Sequence, residues 1–206
     1  MDYKLEGHPP LRGLDEEALH ALYRDGRTVY AFNGEPVPDE TLQAIWDHAQ
    51  WGPTSANSQP LRVTYCRSTE ARERLADTVN RGNRGKILSA GATALLAIDQ
   101  RFHEHMPLVM PLRPDYREVW EEDTETRASI GRLSAAIQAG YFILAVRAMG
   151  LAAGPFSGFE VDKVNAEFFA GTNYTAFMGV NIGYPAEAAS MPRFPRVPHD
   201  EALTWL

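Results

Sequence analysis

Residues 51–60 read Trp51-Gly52-Pro53-Thr54-Ser55-Ala56-Asn57-Ser58-Gln59-Pro60, a loop dense in hydroxyl and amide side chains. The residues after Pro38 have the apolar spacing of an amphipathic helix, and residues 61–67 alternate like a strand. A turn between two such elements needs only one or two polar side chains. The loop is therefore interpreted either as an extensively capped turn or as a set of donors for a flat heteroaromatic ring.

Helices and strands alternate outward from this loop. The pattern predicts a charged helix over residues 68–79, strands over residues 92–98 and 174–182, and a long helix over residues 123–149 that Gly150 ends. We expect the long helix to be buried in the core, with these recurring apolar positions on it: Ile130, Leu133, Ile137, Tyr141, Leu144 and Ala145. The elements together indicate a layered domain of the α+β or α/β class.

One segment does not follow this pattern. Residues 101–122 are rich in proline, histidine and aromatic residues without a clear period, so we treat them as an excursion or lid in a single domain spanning residues 1–206. Arg113 lies in this segment and is a candidate for binding a substrate carboxylate. His103 and His105 could bind a metal, but no supporting carboxylate spacing accompanies them, and we predict no metal site.

Composition limits the function classes. The net charge of -7 argues against a nucleic-acid partner, which would need a basic face, and the apolar window at residues 135–154 contains Gln138 and Arg147, so we predict a core helix and no membrane span. The one cysteine, Cys66, cannot form an internal disulfide. Met1-Asp2-Tyr3-Lys4 lacks the apolar run of a signal peptide. We expect a cytoplasmic protein with a small-molecule substrate.

Familiar catalytic and nucleotide-binding motifs are missing from the sequence. It contains neither G-x-G-x-x-G nor G-x-x-x-x-G-K, so a nucleotide would have to bind in another way. Residues 154–158 have the order G-x-x-S-G, with a proline after the first glycine, which does not fit the turn of a serine hydrolase.

The loop at residues 51–60 resembles the P-S-S-x-N-x-Q-P signature of the FMN-dependent nitroreductase family. The match covers Pro53, Ser55, Asn57, Gln59 and Pro60, and the change at Thr54 is conservative. The resemblance implies that four residues of the loop bind FMN: Pro53, Thr54, Ser55 and Asn57. It also implies a nitroreductase-like three-layer α+β fold, in which helices surround a small mixed, mostly antiparallel sheet and a long central helix.

Two further segments resemble the same family. Asn83-Arg84-Gly85-Lys86 is similar to its N-x-x-K element, and the resemblance places Asn83 and Lys86 against the pyrimidine edge of the flavin, where a cation stabilises negative charge. Residues 154–159 resemble the P-x-x-G-F segment, which implies that Pro155, Ser157 and Gly158 cover one flavin face. Many family members have Glu at the position of Ser157. The alternative for Lys86 is a solvated side chain in an exposed turn.

The phosphate element of this family is divided between the two ends of the chain. Arg27-Thr28 resembles the N-terminal R-x-S element, and residues 191–196 resemble the C-terminal basic segment, which implies that Arg27, Thr28, Arg193 and Arg196 bind the FMN phosphate. The usual first Arg falls on Gly26 and the usual third basic residue on Tyr30. Ordinary surface arginines are the alternative.

The resemblance extends from Arg27 to Arg196, over four fifths of the chain. Within the family, the sequences at residues 51–57, 154–159, 168–171 and 181–184 resemble the malonic semialdehyde reductase branch of pyrimidine degradation. This implies an intertwined homodimer, with FMN at the subunit interface and NAD(P)H as the reductant, that reduces malonic semialdehyde to 3-hydroxypropionate through the flavin N5, without a catalytic side chain.

Three alternatives stay open at this point. The acceptor could be a nitroaromatic or a quinone, because an open flavin face accepts many flat oxidants. The protein could instead store flavin without catalysis. A structural metal at His103 and His105 is the third alternative.

Overall fold

The computed structural model describes residue 7 and residues 9–206. The expectation that Met1-Asp2-Tyr3-Lys4 carries no export signal lies outside these residues. The helices of the described part are α1 (Glu16–Leu19), α2 (Asp39–Ala49), α3 (Thr69–Ala76), α4 (Arg81–Ser89), α5 (Met106–Val109), α6 (Tyr116–Glu122), α7 (Thr124–Ala148), α8 (Val161–Phe168) and α9 (His199–Ala202). The strands are β1 (Leu61–Cys66), β2 (Ala92–Asp99), β3 (Ala152–Phe156) and β4 (Tyr174–Gly183).

The four strands form one sheet in the order β1-β2-β4-β3. All three pairings are antiparallel, so the described sheet is not mixed. Strand β2 is buried along its whole length, as its continuous run of apolar residues predicts. Strand β3 is at an edge, which explains how Pro155 fits into a sheet without donating a hydrogen bond.

Side-chain alternation along β2 separates two helical layers. Ala94 and Leu96 face a core formed with α2 and α7, whereas Leu95 and Ala97 face a core formed with α3, α4 and α8. Each buried large side chain in these cores stabilises the fold by roughly 1.5 to 3 kcal/mol. The result is the three-layer α+β arrangement that the family resemblance implies.

Helix α7 begins and ends as its sequence predicts. At the start, the Asp123 carboxylate accepts a hydrogen bond of 3.0 Å from the Thr126 amide. At the end, Gly150 adopts a left-handed φ of 73°, while the Leu151 amide donates to the Val146 carbonyl at 3.2 Å. This is a Schellman stop, and it turns the chain directly into β3.

One expectation about α7 is wrong. Leu133, Ile137 and Tyr141 are 58%, 37% and 42% exposed, so they do not form its buried face. The side that packs into the fold instead carries several smaller residues, including Ala135 and Ala139, which let the helix approach its neighbours closely. We call Leu133, Ile137 and Tyr141 the exposed apolar stripe.

The length and composition of α7 would also suit a membrane span. It is the one such helix in the described part of the chain, and 44% of its most apolar window is buried inside the fold. Its packing against α2 and the sheet accounts for an apolar composition without a membrane.

The excursion at residues 101–122 is folded. It consists of a 3-10 turn at Phe102–His105, α5 and α6, and its Phe102, Met106 and Trp120 form a separate buried cluster. Each of these helices has only four to seven residues, which is too short for a repeating apolar pattern to be recognised in the sequence.

Two other elements escaped prediction. Helix α4, which carries Asn83 and Lys86, contains two glycines and so lacks a helical signature in the sequence; it stands where an exposed turn was the alternative for Lys86. Strand β3 contains a glycine and a proline, which obscured its strand pattern.

Candidate functional site

The N-terminal and C-terminal basic segments meet at one pocket of about 200 Å³. We call it the arginine pocket. It is lined by Gly26, Arg27, Thr28, Tyr30, Arg147, Met191, Pro192, Arg193, Phe194 and Arg196. The structure therefore brings together all four residues that the sequence assigns to a phosphate, although the two segments are more than 160 positions apart.

The four guanidinium groups of this pocket lack acidic partners. None of the ion pairs within residues 9–206 involves them. Their protein hydrogen bonds go to main-chain carbonyls, such as Arg27 to Met191 at 3.2 Å and Arg193 to Arg24. Like charges held together without a counter-charge favour a multivalent anion such as a phosphate monoester, which carries nearly two negative charges at neutral pH.

Arg147 was not among the residues predicted to bind phosphate. It lies in the last turn of α7, its Nη1 donates to the Leu22 carbonyl at 3.0 Å, and its buried Nε has no hydrogen-bond partner in the described structure. Burial, and then repulsion by Arg193, lower the pKa of Arg147. The one sequence feature that could have pointed to Arg147 is that a charged residue lies within the mostly apolar window at residues 135–154.

Lys86 and Asn83 lie beside this pocket. They are one helical turn apart on α4, and Lys86 Nζ donates to Asn83 Oδ1 at 3.3 Å. Lys86 Nζ also lies 4.4 Å from the centre of the Tyr30 ring, in a cation–π contact. Because Tyr30 lines the arginine pocket, the two predicted sites form one continuous surface.

Gly158 extends the same surface. The Asn83 side-chain amide donates to the Gly158 carbonyl at 3.3 Å, and a Cβ at position 158 would lie 2.9 Å from the Asn80 and Asn83 amide nitrogens. Only glycine therefore fits without displacing these amides. Ser157 is exposed next to it, and Pro155 lies in β3.

The loop at residues 53–59 is strained. Ala56, Asn57 and Gln59 have φ of 49°, 54° and 46°, and they are the non-glycine residues with positive φ in the described chain. Left-handed backbone costs such residues of order 1 kcal/mol or more each, and it is concentrated at functional sites. The strain supports a binding role for a loop that sequence analysis could also interpret as a capped turn.

Two hydrogen bonds tie this loop to α7 and to the excursion. The Ser55 amide donates to Ser134 Oγ on α7 at 3.2 Å, and the Asn57 side-chain amide donates to the Val109 carbonyl at 2.7 Å, which ties the loop to the excursion. Within the loop, the Gln59 amide donates to Thr54 Oγ1 at 3.3 Å.

The loop and the arginine pocket are far apart in one chain. Ser134 on α7 contacts the loop, and Arg147 on the same helix lines the arginine pocket. The stretch of α7 between these two residues is about 20 Å long, at about 1.5 Å per helical residue. The hydrogen bonds of the loop side chains among residues 9–206 stay within the loop or go to the excursion. One chain thus presents two separate halves of the predicted flavin site.

The structure does not place the remaining sequence candidates at this surface. Arg113 donates to both oxygens of Asp115, at 2.8 and 2.6 Å for the shortest contacts, and stacks on Tyr116. His103 is buried with Nε2 2.5 Å from a Glu121 oxygen, whereas His105 is exposed near Asp99. In the described residues, no group of three metal-ligating side chains is close enough to hold an ion.

A larger groove of about 680 Å³ runs between α2 and the edge strand β1. Its lining includes Leu42, Trp46, Val63 and Tyr65, and none of the residues predicted to bind cofactor. Volume alone would select this groove, but charge and residue type favour the arginine pocket for a phosphorylated ligand.

The fold and the site together define an α+β protein with a cationic pocket suited to a phosphorylated ligand. The chain belongs to the nitroreductase family, whose model matches residues 23–184. A relative from Streptomyces coelicolor, named as a candidate NADH dehydrogenase/NAD(P)H nitroreductase, is 48% identical over 196 residues, which cover 95% of this chain and 97% of that protein.

Solved structures confirm the fold. A nitroreductase candidate from Bacillus subtilis has a TM-score of 0.83 at 18% identity and covers 93% of this chain and 100% of its own. A second, from Exiguobacterium sibiricum, was solved in complex with FMN and has a TM-score of 0.78 at 17% identity, covering 95% of this chain and 99% of its own.

Proposed function

We propose that this chain is an FMN-dependent NAD(P)H oxidoreductase. The observation that carries the proposal is the continuous surface from the arginine pocket through Tyr30 and Lys86 to Asn83 and Gly158. This surface has positive charge at one end for a phosphate and polar side chains at the other for a flat polar ring. FMN, when bound, supplies the hydride-transfer chemistry that the protein's own side chains lack.

We propose for the individual residues the roles that the sequence motifs imply. Arg27, Thr28, Arg193 and Arg196 bind the phosphate, Asn83 and Lys86 bind the pyrimidine edge, and Pro155, Ser157 and Gly158 border one ring face. The loop residues Pro53, Thr54, Ser55 and Asn57 contact the ring from the other side. The protein acts by positioning and electrostatics, so we assign no catalytic side chain.

We propose a homodimer because one chain holds the two halves of the site about 20 Å apart along α7. A second copy could bring its loop to the first copy's arginine pocket. The exposed apolar stripe supports this, because three large apolar side chains on one helix face cost free energy when left in water. The exposed Phe194, Val197 and Trp205 near the C-terminus add further apolar surface that a second chain could cover.

For the acceptor, we propose malonic semialdehyde, which would be reduced to 3-hydroxypropionate with oxidation of NAD(P)H, as a step of pyrimidine degradation in the cytoplasm. The support is the sequence resemblance at residues 51–57 and 154–159, including Ser157. Arg113 in the excursion is the proposed cation for the substrate carboxylate. A broad nitroaromatic or quinone reductase is the second candidate, favoured by the names of the relatives.

The test combines spectroscopy with acceptor kinetics. The purified protein should carry FMN, and anaerobic NADH or NADPH should remove the visible absorbance of the flavin. The reduced protein is then mixed with malonic semialdehyde, a nitroaromatic compound or a quinone, and kcat/KM is compared. A preference for the semialdehyde supports the proposed acceptor, whereas faster oxidation by the other two supports the second candidate. Bound FMN that NAD(P)H does not reduce would favour flavin storage.

A further inference from the structure

Position 26 has no side chain, and this creates space for a guanidinium group. A Cβ built on Gly26 would lie 2.5 Å from Arg147 Cζ and 2.6 Å from its Nε. The Arg147 group therefore lies directly against the Gly26 main chain, on the wall of the arginine pocket. Any larger residue at position 26 would displace it.

Arg147 is also better fixed than the other arginines of the pocket. It comes from the last turn of a 25-residue helix, whereas Arg27, Arg193 and Arg196 lie outside helices and strands. Its hydrogen bond to the Leu22 carbonyl uses Nη1, and its Nε is buried without a partner. The Nε faces Gly26, so the part of the guanidinium that lines the arginine pocket is what a ligand there would contact.

We infer that Arg147, accommodated by Gly26, is a further phosphate-binding residue of this site. The inference rests on the proposed function, since it needs a phosphorylated ligand in the arginine pocket. It explains two observations together: the space that Gly26 leaves for a guanidinium group, and the presence of an arginine in the apolar window of α7. The guanidinium that lies against Gly26 comes from a residue 121 positions later in the chain.

The experiment measures flavin binding by the full chain after its flavin has been removed. FMN and riboflavin are compared, because riboflavin has the same ring without the phosphate. We expect Arg147→Met to weaken FMN binding by about tenfold or more, the effect of one charged hydrogen bond, and to change riboflavin binding less than twofold. Arg147→Lys should retain part of the FMN affinity. Arg132→Met, at an exposed position on the same helix, is the matched control and should bind both flavins normally.

Gly26→Ala tests the pairing independently of the loss of charge. The added methyl group would meet only the flexible end of Arg147, so the protein should fold while FMN binding weakens. In the Arg147→Met background the same substitution should have no further effect on FMN affinity, because the displaced group is already gone. An FMN affinity unchanged by Gly26→Ala would overturn the role of Gly26.

The outcomes separate this inference from the proposed function. If Arg147→Met weakens FMN and riboflavin equally, Arg147 only supports the fold, and if it changes neither, Arg147 does not contact the phosphate. Either result overturns the inference, provided that the unmodified protein prefers FMN to riboflavin. If the unmodified protein shows no such preference, the arginine pocket is not a flavin phosphate site, and the proposed function fails with it.

Discussion

At the residue scale, the position of positive charge determines what this protein can bind. Four guanidinium groups and one ammonium group lie along a single surface, and the arginines lack acidic partners among residues 9–206. Other arginines of the described chain do have acidic partners: Arg62, for example, donates to Asp99 at 2.8 Å. The distinctive feature of this surface is that four arginines without acidic partners in the described residues line one pocket, which is the most direct sign of an anionic ligand.

Arg196 gives the first prediction. Its Nη1 now donates to the Phe194 carbonyl at 2.9 Å, and it is exposed, so it is free to rearrange around a ligand. We expect Arg196→Ala, and likewise Arg27→Ala, to reduce FMN affinity by about 2 kcal/mol, roughly thirtyfold, through loss of charged hydrogen bonds. Retention of FMN through dialysis is the measurement, with the exposed Arg12→Ala as control. Normal retention in both variants would remove these residues from the site.

Lys86 gives the second prediction. An ammonium group near the pyrimidine edge stabilises the negative charge that the flavin gains on reduction, with an effect of about 1 to 3 kcal/mol. Since about 30 mV corresponds to 1.4 kcal/mol for a two-electron couple, Lys86→Met should lower the flavin midpoint potential by tens of millivolts. Spectroelectrochemical titration measures this. A midpoint that moves by only a few millivolts would show that Lys86 does not contact the ring.

Cys66 gives the third prediction. Its thiol is buried in the core against Leu75, Ile87 and Leu95, and burial raises its pKa to about 12. The thiol should stay protonated and unreactive toward a thiol reagent at pH 8 until the protein is unfolded. Cys66→Ser should reduce flavin with normal kinetics. Rapid labelling of the native protein, or loss of flavin reduction in a folded Cys66→Ser variant, would contradict a purely structural role.

The element scale shows what the sequence could and could not predict. Strands β1, β2 and β4 and helix α7 begin and end within one or two residues of their predicted bounds. Each of them carries a sustained pattern of apolar residues, because one or both of its faces are buried. Helix α4 and strand β3 were missed because Gly82, Gly85 and Pro155 hide their patterns. Their structure is imposed by packing against the sheet and by pairing with β4.

The site, too, has parts that the local sequence predicts and parts that depend on how the chain packs. The short motifs at Asn83-Lys86 and Pro155-Gly158 could be recognised locally, and the structure joins them through the Asn83 to Gly158 hydrogen bond. The position of Arg147 could not be recognised, because its relation to Gly26 arises only when α7 packs beside the N-terminal segment. On α7, Leu133, Ile137 and Tyr141 were predicted to be buried but are exposed, whereas the residues that pack inward include small ones such as Ala135 and Ala139 together with Phe142 and Val146.

The excursion gives the fourth prediction. Asp115 holds Arg113 with paired hydrogen bonds, so a substrate carboxylate would have to compete for this cation. We expect Arg113→Gln to raise the KM for malonic semialdehyde and to leave the KM for a neutral quinone unchanged. Steady-state kinetics with both acceptors is the measurement. Equal effects on both substrates would mean that Arg113 only supports the fold of the excursion.

At the scale of the whole molecule, we propose that a second copy of the chain completes the two separated halves of the site. The fifth prediction is that Ile137→Glu, which places a charge in the exposed apolar stripe, converts the dimer into a monomer and reduces FMN affinity at the same time. Analytical ultracentrifugation with absorbance at the flavin band reports both properties. The control, Val161→Glu, is at the first residue of α8 and should leave both properties unchanged. A monomer that retains FMN at normal affinity would contradict the shared site.

The central claim is that the surface from the arginine pocket to Lys86 and Gly158 holds a flavin that NAD(P)H can reduce. The most direct measurement is an anaerobic titration of the purified protein with NADH and with NADPH, followed by visible absorbance. We expect bound FMN whose absorbance is lost in proportion to the nicotinamide added and returns when an acceptor is supplied. Protein that binds no FMN, or whose bound FMN neither nicotinamide reduces, would contradict it.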